Sequence, residues 1–335
     1  MDTQTANSGI SRRKFLISGL ILLCAMPKLR AASVMGVEYV SLAQVAKSCG
    51  MSLKIVVAGK VANIYSQYTK IDFELHKKDI YINGNRLYLG FPIASVAGHL
   101  HMAQSDFYKN IVAILFPKKP KFSLALSHII LDAGHGGKDF GAINKKLGIN
   151  EKTFALDMAK RLGAMLTSYG FKVSYTRSTD VFIPLENRYL LANKLKGDMF
   201  ISLHFNATTA TSVSGVETFS MTPSGQYSTT ASKITDSCKK TYPANKYDEW
   251  NKLLNYCVNT SLRNATKAID RGSKNARFTV LTGALMPSIL VEGGFLTNDT
   301  EALKIKSSAY RDTLARAILA GIIKYQKTAS RIARS

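Results

Sequence analysis

From residue 127 onward the chain alternates short apolar runs with longer stretches whose apolar residues recur every three or four positions. HIILDA, FKVSYTR, DMFISLH, GVETFSM and PSILVE read as strands. NEKTFALDMAKRLGAMLTSYG (150–170) spaces Phe154, Met158, Leu162, Met165, Leu166 and Tyr169 at helical steps, and Gly170 ends it. LENRYLLANKLKG (185–197), DEWNKLLNYCVNTSLRNATKAI (248–269) and SSAYRDTLARAILAGIIKYQ (307–326) supply further helices. Strand-helix alternation of this kind predicts an α/β fold, a mostly parallel sheet with helices on both faces.

The pattern ahead of this region is different. Residues 37–115 hold short stretches of mixed polarity: EYVSL, SLKIVVAG, ANIYSQ, KIDFEL, DIYINGNRLYLG and NIVAILF. The Asn-Gly of YINGNRLYL predicts a hairpin, because both central positions of a type I′ turn need positive φ. One helix is expected at SLAQVAKSCG (41–50), stopped by Gly50. FPKKPKF (116–122) reads as a linker or strand-edge crossing. The division expected is therefore a small α+β module over 33–118 and a larger domain over 126–328. His99 and His101 share one face if their segment is a strand, but a surface histidine pair explains them more simply than a metal site.

Three of the later strands end in residues that bind metal or move protons. SHIILDAGHGGKDFGAI (127–143), DMFISLHFNA (198–207) and PSILVEGGF (287–295) place His135, His204 and Glu292 at the ends of apolar runs. Open α/β sheets build their sites at the carboxyl ends of strands. Converging there, two imidazoles and a carboxylate resemble a hydrolytic zinc site, which needs three protein ligands and an open position for water. Glu151, at the start of the helix after the first histidine, returns toward the strand end and competes as a ligand with Asp132, Asp139 and Asp157.

The order GHGGKDFGA, Glu151 in GINEKTFALDMAKRL, TRSTDVFIPLENRYLLAN, SLHFNA, SGVET and FTVLTGALMPSILVEGGFLTNDTEA resembles the zinc-dependent N-acetylmuramoyl-L-alanine amidases, over about 200 residues from near 127 to near 327. The resemblance implies Zn²⁺ held by His135, Glu151 and His204, with Glu292 as catalytic acid/base and Asn206 and Arg188 as supporting residues. It implies hydrolysis of the muramic acid–L-alanine amide of peptidoglycan, in wall remodelling or daughter-cell separation. It also allows for a septal or activator protein as partner. Some relatives carry a helix between the SLH and LVE motifs that plugs the cleft. Residues 222–247 are polar here, with no such helix expected, so self-inhibition by a plug is not expected either. The first module bears a loose resemblance to the N-terminal stalk module of copper amine oxidases, which implies a wall-facing binding or spacer role.

The N-terminus and the composition narrow the setting. Arg12 and Arg13 precede the apolar run FLISGLILLCAM (15–26) and then small residues at 31–33, which predicts a twin-arginine export signal over 1–32. The run is too short to span a bilayer, so a periplasmic or wall-associated protein with no membrane span after processing is expected. Lys+Arg 45 against Asp+Glu 22 leaves +23, which suits an acidic polymer or surface; no arginine-rich tract or aromatic-basic repeat points to nucleic acid. With no CxxC pair a cysteine zinc site is not expected, while Cys238 and Cys257 are open to pairing. Two other readings fit the same residues: a zinc carboxypeptidase acting within stem peptides, and a non-catalytic peptidoglycan-binding protein.

Overall fold

The computed structural model describes residues 29–231 and 236–334; the expected export signal lies, as far as residue 28, outside them. The first half comprises β1 (Ala31–Val34), β2 (Val37–Ser41), α1 (Leu42–Ser48), β3 (Ser52–Val57), β4 (Val61–Tyr65), β5 (Lys70–Glu74), β6 (Asp79–Ile82), β7 (Asn85–Tyr88), β8 (Ala94–Val96) and β9 (His99–Ala103). A short α2 (Gln104–Asp106), a π-helical turn over Phe107–Val112 and α3 (Ala113–Leu115) close it. Helix α1 begins where expected because Ser41 Oγ accepts the Gln44 N–H at 3.2 Å. Asn83 (φ 50°) and Gly84 (φ 74°) form the hairpin turn between β6 and β7. Ala31 and Ala32, at the end of the expected signal, pair with Val40 and Tyr39.

The second half contains β10 (His128–Ala133), the small hairpin β11 (Ile143–Asn144) and β12 (Ile149–Asn150), α4 (Glu151–Ser168), β13 (Lys172–Tyr175), α5 (Leu185–Lys194), β14 (Met199–Asn206) and β15 (Val216–Met221). It continues through α6 (Asp236–Lys239), α7 (Asp248–Thr266), β16 (Asp270–Ala276), α8 (Thr279–Thr282), β17 (Ser288–Phe295), α9 (Asp299–Lys306) and α10 (Ser308–Arg334). Strands β13, β10, β14 and β17 are parallel neighbours, and β15 runs antiparallel to β17. Successive strand residues face opposite sides, so a run such as HIILDA must be apolar on both. Ile129 and Leu131 pack with α4, α7 and α10, and Ile130 packs with α5 and α8. No helix among the described residues is long and apolar enough to cross a membrane.

Two features departed from what the hydrophobic pattern suggested. Strand β16 is the polar segment DRGSKNA, and it joins the halves: it pairs with β15 on one side and with β7, through Ser273 and Leu87, on the other. The meander β7-β6-β5-β4-β3 therefore continues the same eleven-stranded sheet. The polar strand is tolerated because α7 presents amides to it. Asn255 Nδ2 donates to Lys274 O at 2.9 Å, Asn259 Nδ2 donates to Asp270 Oδ1 at 2.8 Å, and Lys252 Nζ donates to Asn275 Oδ1 at 2.5 Å. Buried polar groups satisfied in this way specify register as well as stability. Cys49 and Cys257 are buried free thiols, so the Cys238–Cys257 pairing is not made.

Asp106 ties the first half to residues 222–231. Its fully buried carboxylate accepts from Gly90 N (2.7 Å), Phe91 N (2.9 Å), Asn110 Nδ2 (2.9 Å) and Gln226 Nε2 (3.1 Å). Burial raises its pKa to about 6, against the lowering effect of the Gly90 and Phe91 bonds. The folded state thus holds a proton on Asp106 more firmly than the unfolded chain, and the stability this contributes is present below pH ~4 and lost as pH rises through about 6. We expect the unfolding free energy of the parent, relative to Asp106→Asn, to fall by about 3 kcal/mol across that window in denaturant melts. A difference independent of pH would refute this assignment.

Candidate active site

The loop after β10 turns through three consecutive residues of positive φ, His135 (61°), Gly136 (121°) and Gly137 (56°). A histidine in this region is uncommon and must be held there by its surroundings. Two buried arginines do so. Arg188 donates to Ala133 O (2.8 Å) and His135 O (2.8 Å) while pairing with the buried Asp132 (2.9 Å). Arg177 donates to Ala133 O (2.9 Å) and Gly134 O (2.7 Å). Thr176 and Ser202 hydroxyls, each 2.6 Å from Asp132, complete the shell around that carboxylate.

Glu151, the first residue of α4, is 4% exposed and lies between the two histidines. Its Oε2 is 3.0 Å from His135 Nε2 and accepts from Ala142 N at 2.8 Å. Its Oε1 is 2.8 Å from His204 Nδ1 and accepts from Phe205 N at 3.0 Å. Burial acts to raise its pKa, but the bonds to His135 and His204 outweigh burial and hold the carboxyl well below the usual range. For His135, burial acts to lower the pKa; bonding and charge from Glu151, then Asp139, overcome it and leave the ring raised. His135 Nδ1 lies 2.8 Å from Asp139 Oδ2, the orientation by which a carboxylate fixes the tautomer of a metal-ligating imidazole.

His135, Glu151 and His204 offer one ligand atom each, all within 4.8 Å of one another. Two imidazole nitrogens and a carboxylate oxygen fit a catalytic zinc site with an open position. The space around them depends on glycine: a Cβ at Gly134 would run into the His204 ring, and one at Gly141 would meet Glu151 Oε2 and His135 Cδ2. The three competing carboxylates are engaged elsewhere. Asp132 serves Arg188, Asp139 orients His135, and Asp157 pairs with Arg161 and Arg311. His101 Nδ1 bonds His99 O at 2.9 Å, and no third ligand joins that pair among the described residues.

Glu292 lies beside this group, paired in register with His204 on β14 and with Glu217 on β15. Its Oε2 is shielded from solvent and has no hydrogen-bond partner. Burial raises its pKa well above the usual glutamate value, and the nearby charges of Glu151 and Glu217 push it further. Glu217, buried, is a residue the motif reading passed over, although SGVET displayed it. It accepts from Asn206 Nδ2 (2.7 Å), Arg271 Nε (3.1 Å) and Lys274 Nζ (2.5 Å). Between the SLH and LVE motifs, the helices beyond residue 222 and before α7 are the four-residue α6 and a 3₁₀ turn, Pro243–Tyr247, among the described residues.

The model of a family described as N-acetylmuramoyl-L-alanine amidase matches residues 129–324. The N-acetylmuramoyl-L-alanine amidase LytC of Bacillus subtilis (strain 168) is 35% identical over 199 residues, covering 59% of this chain and 35% of LytC. AmiC of Escherichia coli O6:H1 is 33% identical over 227 residues, covering 62% and 54%. AmiA of Escherichia coli (strain K12) is 30% identical over 218 residues, covering 59% and 75%. The chain thus matches about a third of LytC and about half of AmiC. Among solved structures, an N-acetylmuramoyl-L-alanine amidase from Clostridium difficile 630 is 31% identical with a TM-score of 0.51, covering 60% of this chain and 97% of that one. The CwlD amidase from Clostridioides difficile, solved in complex with the GerS lipoprotein, is 28% identical with a TM-score of 0.51, covering 60% and 99%.

A buried carboxyl with a raised pKa makes the fold less stable as pH climbs through that value, since the unfolded chain ionises more easily. Glu292→Gln removes the ionisation. Thermal melts of chelator-treated protein should show the variant gaining stability relative to the parent as pH rises from 5 to 8. A variant that gains nothing over that range would show that the carboxylate is welcome in this site.

Proposed function

The chain belongs to the N-acetylmuramoyl-L-alanine amidase family, and from that premise we propose that it hydrolyses the amide between muramic acid and L-alanine of peptidoglycan, outside the cytoplasm. The observation that carries the reading is the convergence of His135, Glu151 and His204 on one point with Glu292 paired in register beside them.

His135, Glu151 and His204 would hold a zinc ion, which supplies an acidified water and a polarised carbonyl when bound. Asp139 keeps the His135 Nδ1 side occupied, leaving Nε2 toward the shared centre. Glu292, in its carboxylate form, takes the proton of the attacking water. It returns that proton to the departing alanine nitrogen as the C–N bond breaks, freeing the stem peptide from the glycan. The shielding of its Oε2 supports both roles, because burial raises the carboxyl's pKa above the usual glutamate value and makes it a better proton acceptor. Lys274 and Arg271 neutralise Glu217, which lessens the repulsion that an ionised Glu292 would meet.

The same reading includes export by the twin-arginine signal and action at the wall during remodelling or cell separation. It holds the enzyme free of a helix plug, since among the described residues the helical segments between residue 222 and α7 are no longer than five residues.

Digestion of purified sacculi should release intact stem peptides with a free L-alanine amine, identified by mass. Release of terminal D-alanine alone would make the protein a carboxypeptidase, and no release would leave only a binding protein. Chelation should abolish activity and Zn²⁺ should restore it. Glu292→Gln should bind zinc as the parent does yet lose about a hundred- to ten-thousand-fold in rate. A parent enzyme silent on sacculi until a partner is added would overturn the absence of self-inhibition.

A further inference from the structure

Strand register carries one face of the sheet out of the active site and across the first half of the chain. Glu292 is paired with Glu217, which contacts Lys274 on β16. Lys274 lies over the Tyr88 ring on β7, with its Nζ 5.6 Å from the ring centroid. From there the cross-strand partners are Tyr88 with Asp79, Arg86 with Tyr81, Tyr81 with Asp72, and Lys70 with Tyr65. Residues directly opposite on antiparallel strands share a face, so all of these lie on the side that carries Glu292. The other side holds Leu87, Ile80, Ile82, Ile71 and Ile64, buried in the core of the first half.

Glu217 and Lys274 are buried, and the face opens over β4–β6, where Tyr65 is 43% exposed and Tyr81 39%. From Glu292 to Tyr65 it crosses six inter-strand steps, about 29 Å at the ordinary strand spacing. Its charged groups are paired, with Lys274 and Arg271 sharing Glu217. Arg86 pairs with Asp79 at 2.9 Å, Lys70 with Asp72 at 2.7 Å, and Lys274 with Glu217 at 2.5 Å. A strip built to hold a polyanion would leave its cations free; here aromatic rings alternate with neutralised polar pairs. That composition suits a neutral chain rich in hydroxyl groups, whose ring C–H faces stack on tyrosine while its hydroxyls meet the paired charges.

We propose that the open face of β4–β6 is a binding track for the polysaccharide backbone of the wall polymer, with Tyr81 and Tyr65 as its stacking platforms. This deepens the amidase reading and rests on it for the identity of the polymer. The track holds the glycan that the cleft strips of its peptides.

The test uses the full chain carrying Glu292→Gln, so that binding is measured without cleavage, at salt high enough to screen the chain's general positive charge. Cosedimentation is read with intact sacculi, with glycan strands freed of peptide, and with polyglutamate beads. The parent should bind sacculi and bare glycan. Adding Tyr65→Ala and Tyr81→Ala should weaken both by about tenfold or more, with an unchanged thermal midpoint. Tyr65→Phe with Tyr81→Phe should retain binding, which separates lost rings from lost folding. Unaltered binding by the folded alanine pair overturns the proposal, as does equal loss in the phenylalanine pair, or retention on polyglutamate but not on bare glycan. Active chain that frees no L-alanine amine while still binding bare glycan would refute the amidase reading and leave the track standing.

Discussion

The site depends on a single carboxylate with four partners. Glu151 takes two backbone N–H groups and faces two imidazoles, so one side chain fixes the start of α4, the loop after β10 and the end of β14 relative to each other. Four favourable contacts offset the cost of burying a charge, which alone would be several kcal/mol. They also bring the two rings to 4.9 Å, nearly perpendicular, so that nitrogens from both face one point. The buried arginines act on the same problem from behind. They bond carbonyls of the turn that carries His135, and the left-handed backbone there is held by charge-assisted bonds on the inner side.

Much of this was legible before any coordinates. His135, His204 and Glu292 announce themselves because each ends an apolar run where a buried strand meets solvent. The sheet layers follow from runs apolar on both faces. Choosing Glu151 from among four acids was different. Nothing in spacing separates it from Asp132, Asp139 and Asp157; the resemblance singled it out, and the partners each acid finds show why the others are occupied. Glu217 and its bases were not legible as a site, since the pairing with Lys274 is made across 57 positions of chain and leaves no local pattern.

Strand β16 went unread for a related reason. DRGSKNA has neither alternation nor a β-branched residue, and its burial is made possible by asparagines of α7 whose role is invisible in a helix that merely looks polar. Those amides fix where Lys274 and Arg271 sit, and through them the charge around Glu217 beside Glu292. The same strand carries the join to β7, so the polar seam organises the border of the cleft and the attachment of the first half together.

The crossing at 116–122 takes on a different meaning in this light. It is an irregular stretch with exposed lysines, and a protease would find it readily. Yet cutting it would not divide the protein into parts, because β7 and β16, Tyr256 in the first half's core, and the Lys78 bonds to residues 228–231 all bridge the cut. Nicked there, the chain becomes two complementary fragments of one fold, each supplying what the other needs to stay closed.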